Sequence, residues 1–192
     1  MPTSDQPSFA HRRRYEGLGH AHYLTFSCFQ NRRFLVSSRA AGWFVDALRA
    51  AREKGLFDLW AWVSMPDHAH VLVLPKDGVT VGRILSALKQ PVSKRALLYL
   101  RRERPEGLGA LADVQPNGDT SYRFWQRGGG YDRNIWTPEE IREKINYIHA
   151  NPVRRGLVER PVDWPWSSWR AWTTGEEIPL PVDRDGVPSL RG

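Results

Sequence analysis

The chain has a single cysteine, Cys28, among its 192 residues. That excludes an internal disulfide and a thiolate metal cluster, since both need a second sulfur. Long apolar runs are also missing, and nothing approaches the roughly 20 consecutive apolar residues that cross a bilayer. The opening stretch "MPTSDQPSFAHRRRYEG" carries charge with no apolar core behind it, so it does not read as a secretory signal. There is no internal repeat and no low-complexity tract. Acidic residues are the minority charge: 21 Asp and Glu stand against 28 Lys and Arg, a formal net charge of +7. These absences leave a soluble, cytoplasmic protein with no membrane partner.

What is present is enough for one packed domain. Hydrophobic residues make up 41% and charged residues 26% of the chain, and nine are tryptophan. Disorder is therefore not the default. The basic excess favours a polyanionic partner, and nucleic acid is the commonest one. Arginine leads over lysine and comes in runs: Arg12-Arg13-Arg14, Arg32-Arg33, Arg101-Arg102 and Arg154-Arg155. Its planar fork donates two hydrogen bonds to a phosphate at once.

Residues 1–18 read as a basic N-terminal arm, 19–172 as one domain and 173–192 as a C-terminal extension. In "AHYLTFSCF", Leu24, Phe26 and Cys28 alternate with Tyr23, Thr25 and Ser27, the pattern of a half-buried strand. Residues 37–55 read as a helix with Ser37 or Ser38 as its cap and Gly55 as its stop. "FDLWAWVSM" and "HAHVLVLP" flank the turn "PD" and predict a hairpin. A second helix begins after Thr80, with Pro91 expected to kink or end it. Residues 104–120 read as a loop, and "YRFWQ" (122–126) as a short strand before the glycine triplet Gly128–Gly130. A third helix starts at Thr137. The order strand-helix-strand-strand-helix-strand predicts an α+β, ferredoxin-like (RRM-like) antiparallel sheet with helices packed on one face, leaving the other face open to a ligand.

Two features carry chemistry. In "MPDHAHVLVL", His68 and His70 are two apart on a strand, so they share one face while Ala69 and Val71 take the other. Imidazoles placed this way can meet on one divalent ion, but two ligands are too few for a working site. The helix "TPEEIREKINYIHANP" has Thr137, Pro138 and Glu140 in the pattern of a capping box, and an apolar stripe of Ile141, Ile145 and Ile148. Tyr147 and Asn151 lie one turn apart at the edge of that stripe. Pro152 disfavours helical geometry at Asn151. If the helix docks beside the histidines, the Asn151 amide completes a three-donor metal set and Tyr147 supplies a nucleophile.

In order along the chain, "AHYLTFSCFQNRRFL", "AWVSMPDHAHVLV", "LKQPVSKR", "FWQRGGGYDRNI", "KINYIHANPVRRGLV" and "DWPWSSW" resemble the IS200-like tyrosine transposases of the HUH class. They are most similar to the branch associated with repetitive extragenic palindromes (REP). The resemblance runs from about Arg14 to about Trp172. It implies a single-stranded DNA endonuclease and strand transferase acting at palindromic hairpins. It implies Mg²⁺ or Mn²⁺ on His68, His70 and Asn151, and Tyr147 as the nucleophile that forms a 5′-phosphotyrosyl intermediate. The middle residue of the histidine motif, Ala69, is smaller than the family's usual one, so looser packing is expected behind the strand. Insertion-sequence relatives are dimers, whereas the palindrome-associated branch resembles a monomer; the extension after the last tryptophan favours the monomer.

Arg12, Arg13, Arg14, Arg32, Arg33, Arg127, Arg133, Arg154 and Arg155 are candidate phosphate contacts. Trp164, Trp166, Trp169 and Trp172 read as a hydrophobic clasp on the domain rather than a base-stacking platform. His149 reads as a helix-surface histidine. The alternative function is a catalytically inactive nucleic-acid-binding protein on the same scaffold. A zinc hydrolase would use the histidines but leave Tyr147 idle.

Overall fold

The computed structural model describes residues 19–176 and 178–188. The arm bearing Arg12, Arg13 and Arg14 lies outside the described residues. Strand β1 (Ala21–Ser27) leads through helix α1 (Ser38–Glu53) to the hairpin of β2 (Phe57–Ser64) and β3 (His68–Pro75). Helix α2 (Val81–Glu103) follows, then a small ribbon of β4 (Ala112–Val114) and β5 (Thr120–Tyr122), strand β6 (Tyr131–Ile135), helix α3 (Pro138–Arg154) and the short helix α4 (Trp169–Thr173). The main sheet has the order β2-β3-β1-β6, antiparallel throughout. The ferredoxin-like β-α-β-β-α-β order stands.

Its fourth strand is not "YRFWQ". Tyr122 ends β5, which pairs only with β4, and Trp125 meets Cys28 in an isolated bridge. The fourth strand is β6, "YDRNI". It is a short edge strand whose only buried residue is Ile135, so it carries almost no period-2 hydrophobic signal.

Alternation in the strands builds two cores. Leu24, Phe26, Cys28, Trp62, Ala69, Val71 and Val73 face α1 and α2. Tyr23, Ala61, Val63 and Leu72 face the other way, against Ile141, Ile145 and Ile148 of α3. The two crossover helices thus share one face as expected, but the opposite face is not open. The apolar stripe of α3 covers part of it, since leaving three isoleucines in water would forfeit the burial that drives docking. Ala69 is fully buried, in register with Phe26, whose ring meets those of Phe44 and Trp125 at 6.0 and 5.1 Å. Ala69 belongs with these aromatic residues to the core on the α1–α2 side of the sheet.

Helix boundaries follow their caps. Ser37 accepts from the Ala40 N–H, Thr80 from that of Arg83 and Thr137 from that of Glu140. Glu140 in turn accepts from the Trp136 N–H, one residue outside the usual box. Pro91 does not interrupt α2: it sits on the exposed side, where the carbonyl it frees can be hydrated. Pro152 likewise falls inside α3, and the Arg155 N–H still donates to the Asn151 carbonyl at 3.0 Å, so Asn151 stays helical.

Residues 164–168 lie along the outer edge of β2. The Ser64 N–H donates to the Trp166 carbonyl at 2.8 Å and the Ser168 N–H to the Trp62 carbonyl at 2.9 Å. A covered edge cannot recruit a foreign strand. Trp164 and Trp172 pack against the α3-side core and donate to the carbonyls of Ser64 and Trp60, while Trp166 packs on the opposite core. The C-terminal extension also docks. Leu180 is buried with α1 and α2, and the Asp183 carboxylate accepts from the Arg52 guanidinium and the Leu59 N–H.

Candidate active site

The site grows from the α3-facing side of β1 and β3. Ser27 pairs with His68 and Thr25 with His70, so the histidine face of β3 is framed by the polar face of β1. His68 and His70 are buried, and their Nε2 atoms stand 3.1 Å apart. The Asn151 side-chain amide, 4% exposed, reaches the same place from α3, 2.9 Å from His70 Nε2.

The outer ring nitrogens decide what that convergence means. His68 Nδ1 lies 2.6 Å from Asp67 Oδ1, and a carboxylate can only accept, so Nδ1 carries the proton. His70 Nδ1 lies 2.7 Å from Tyr23 Oη and 2.8 Å from Thr25 Oγ1, and the Asn151 amide donates to its Nε2, which makes Nδ1 the protonated nitrogen there too. Two imidazole lone pairs then face each other across 3.1 Å. Turning the Asn151 amide about its last bond puts its oxygen at the same point and adds a third acceptor. Three inward acceptors, with a carboxylate and two hydroxyls behind the rings, suit a divalent cation. Among the described residues no group of three His, Cys, Asp or Glu side chains could hold a metal, so an amide is the third donor available. Burial, followed by the charges of His68 and Arg155, pushes the His70 imidazole down to about 3. It therefore stays neutral, as a ligand must, across the physiological range.

Tyr147 is half-buried one helical turn from Asn151. Its ring stands 5.8 Å from that of His70 and 6.2 Å from that of Tyr23, nearly perpendicular to both. Tyr23, Thr25, His70, Tyr131, Arg133, Lys144 and Tyr147 line an open depression of about 390 Å³. Of the candidate arginines, Arg133 lines it and donates to Glu140 at 2.8 Å. The Arg154 guanidinium carbon lies 4.9 Å from the Tyr147 ring centre, and the charge of Arg155 reaches His70. Arg32, Arg33 and Arg127 do not line it. Arg32 donates to the Ala110 carbonyl, Arg33 is exposed, and Arg127 is held by Asp113 and Gln115 of the small ribbon.

Sequence reasoning missed four contributors. Asp67 was only part of a turn, although it adjoins His68. Tyr23 and Thr25 were only the second face of β1, yet that is the face His70 meets. Lys144 carries no signal of its own in the sequence, though it is one turn before Tyr147. His149 is not on the surface: it is buried, its Nε2 sits 2.9 Å from Ser168 Oγ, and burial pushes its imidazole down to about 4. It ties α3 to the edge-covering segment.

The glycine triplet has a structural task. Gly130 has φ +76°, and a Cβ there would drive into the Thr25 carbonyl oxygen. The chain passes this close to β1 only because that residue has no side chain.

No protein-family model matches the chain. It is 27% identical over 149 residues, 77% of its own length and 78% of the relative's, to a Haemophilus influenzae protein named "Putative REP-associated tyrosine transposase". It is 24% identical over 157 residues, 82% of its own length and 81% of the relative's, to the REP-associated tyrosine transposase of Escherichia coli K12. Its fold matches the structure of a REP-associated tyrosine transposase bound to a REP hairpin, with a TM-score of 0.63, 18% identity, and coverage of 94% of this chain and 98% of that one. The chain is thus similar in sequence, over about four fifths of its length, to REP-associated tyrosine transposases, and similar in fold, over nearly all of it, to one of them.

Proposed function

We propose that this protein is a metal-dependent endonuclease and strand transferase for single-stranded DNA at palindromic hairpin elements, with Tyr147 as the nucleophile. One observation carries the reading: within a single chain, Tyr147 shares a depression with His70, whose Nε2 converges with those of His68 and the Asn151 amide. The relatives' names, tyrosine transposases, agree with a tyrosine in that place. The fold neighbour's hairpin and this chain's net charge of +7 agree with a DNA hairpin as partner.

His68, His70 and Asn151 are the residues that would hold Mg²⁺ or Mn²⁺, which when bound supplies Lewis-acid polarisation of a phosphate oxygen. Asp67, Tyr23 and Thr25 keep the imidazoles turned inward by accepting hydrogen bonds from their outer Nδ1–H groups. The Tyr147 oxygen forms a new bond to phosphorus while the bond from phosphorus to the 3′ oxygen breaks. The phenolic proton is lost and the departing 3′ oxygen gains one, so the products are a 5′-phosphotyrosyl protein and a free 3′-hydroxyl. Attack by another 3′-hydroxyl reverses the step and joins new ends, and no nucleotide cofactor is consumed. Arg133, Arg154 and Arg155 lie where they can hold phosphates flanking the scissile one. Arg12, Arg13, Arg14, Arg32, Arg33 and Arg127 are proposed for more distant parts of the DNA. All parts of the site belong to one chain, which supports a monomer acting on its own substrate.

The test is a denaturing gel with labelled hairpin oligonucleotides, the protein and Mg²⁺ or Mn²⁺. Wild type should give a protein–DNA band that Tyr147→Phe does not. A band that survives Tyr147→Phe means another nucleophile. No band with any hairpin, together with retained DNA binding, means an inactive binding protein.

A further inference from the structure

We propose that Lys144 is a further catalytic residue, whose ammonium grips a non-bridging oxygen of the phosphate that Tyr147 attacks. This rests on the reading of Tyr147 as the nucleophile. Lys144 stands three residues before Tyr147 on α3, so the two side chains share a helix face. Its side chain is 12% exposed, where lysine is normally in water. Its Nζ lies 5.7 Å from the Tyr147 ring centre and 6.0 Å from that of Tyr23, and it lines the same depression as both.

The partner that the ammonium has is replaceable. Nζ donates to Glu143 Oε1 at 2.7 Å, but the Glu143 side chain is 68% exposed and can turn into water when a phosphate arrives. Arg133, on the same wall, is engaged by Glu140, and Arg154 lies against the tyrosine ring. Lys144 is thus a half-desolvated cation beside the nucleophile, with room for a new acceptor. During attack on a phosphodiester, negative charge builds on the non-bridging oxygens. A fixed ammonium there strengthens its interaction as the bond forms, so it accelerates the step more than it tightens binding. Lys144 surrenders no proton; it acts as a placed charge.

The experiment compares single-turnover adduct formation by wild type, Lys144→Met and Lys144→Arg on a hairpin with a normal scissile phosphate and on one with a methylphosphonate there. Hairpin affinity and thermal melting are measured alongside. On the phosphate, Lys144→Met should be slower by roughly 100-fold, the scale of losing one transition-state donor, and Lys144→Arg should recover part of the rate. Affinity should change little. On the methylphosphonate, which lacks the charged oxygen, the two proteins should react at nearly equal rates. An equal penalty on both substrates would assign Lys144 a structural task, supporting Tyr23 and Tyr147, and overturn the proposal. So would a Lys144→Met rate close to wild type on the phosphate. If Lys144→Met does not fold, the Arg variant and the wild-type ratio between the two substrates decide: no loss of wild-type rate on the methylphosphonate overturns the proposal. Absence of any wild-type adduct, or an adduct with Tyr147→Phe, strikes the underlying reading instead.

Discussion

Asp67 shows how much a single side chain can settle. Its carboxylate, 2.6 Å from His68 Nδ1, selects the tautomer that turns a lone pair inward. Asp67→Asn keeps the shape but can face the ring with its NH₂ group, which stabilises the wrong tautomer. Mn²⁺ affinity, read by titration calorimetry, is expected to fall by about 10–100-fold, the usual cost of removing such a support. Gly130 is the backbone counterpart. Its φ of +76° and its approach to the Thr25 carbonyl leave no room for a methyl group. Gly130→Ala should destabilise the fold by about 2 kcal/mol or more, from backbone strain and overpacking together. The urea unfolding midpoint checks this. Because Thr25 touches His70, the displacement should also weaken Mn²⁺ binding.

Helix α3 and the segment over the β2 edge act as one unit, joined where His149 meets Ser168. Ser168 Oγ also lies within hydrogen-bond reach of the Trp62 N–H and carbonyl. The helix that carries Tyr147 and Asn151 is thereby pinned to the edge of the sheet. His149 is buried, and its imidazole is lowered from 6.5 to about 4. The sign follows from linkage. The unfolded chain takes up a proton near pH 6.5 and the folded chain only near 4. Stability is therefore full above about pH 6.5 and is lost as pH falls toward 4, by up to about 1.4 kcal/mol per pH unit. His149→Gln removes this titration. Its stability between pH 7 and 5 should vary less than wild type's by that amount, measured as the difference in urea midpoints. His70 shifts in the same direction in both proteins, so the difference isolates His149.

At the scale of the whole molecule, His68, His70, Asn151 and Tyr147 meet within one chain. Tyr147 and His70 come from elements that pack on each other within a single domain, 5.8 Å apart ring to ring. A mixture of Tyr147→Phe and His68→Ala proteins should therefore form no adduct, since neither chain can lend its intact half to the other. Recovered adduct on the same denaturing gel would reveal an exchanged helix and a working dimer. The extension contributes to the same body, since Leu180 fills the α1–α2 core and Asp183 clamps Arg52 to the end of β2.

Much of this was legible in the chain because periodicity is a local signal. The face shared by His68 and His70, the caps at Ser37, Thr80 and Thr137, and the isoleucine stripe of α3 each follow from neighbours a few residues apart. The resemblance added the link between "HAH" and Tyr147 across the sequence. The tertiary structure alone decided which polar groups stand behind the histidines, since Tyr23 and Thr25 reach His70 only through strand register. It also decided that "YDRNI" is the fourth strand, because an edge strand needs only one partner and little apolar content. It covered part of the sheet face expected to be open and buried His149 against Ser168. It also turned the helix face that Lys144 and Tyr147 share toward Tyr23 and His70, through the rotation at which α3 docks. Sequence spacing determines which side chains share a face; the packing of elements determines what that face meets.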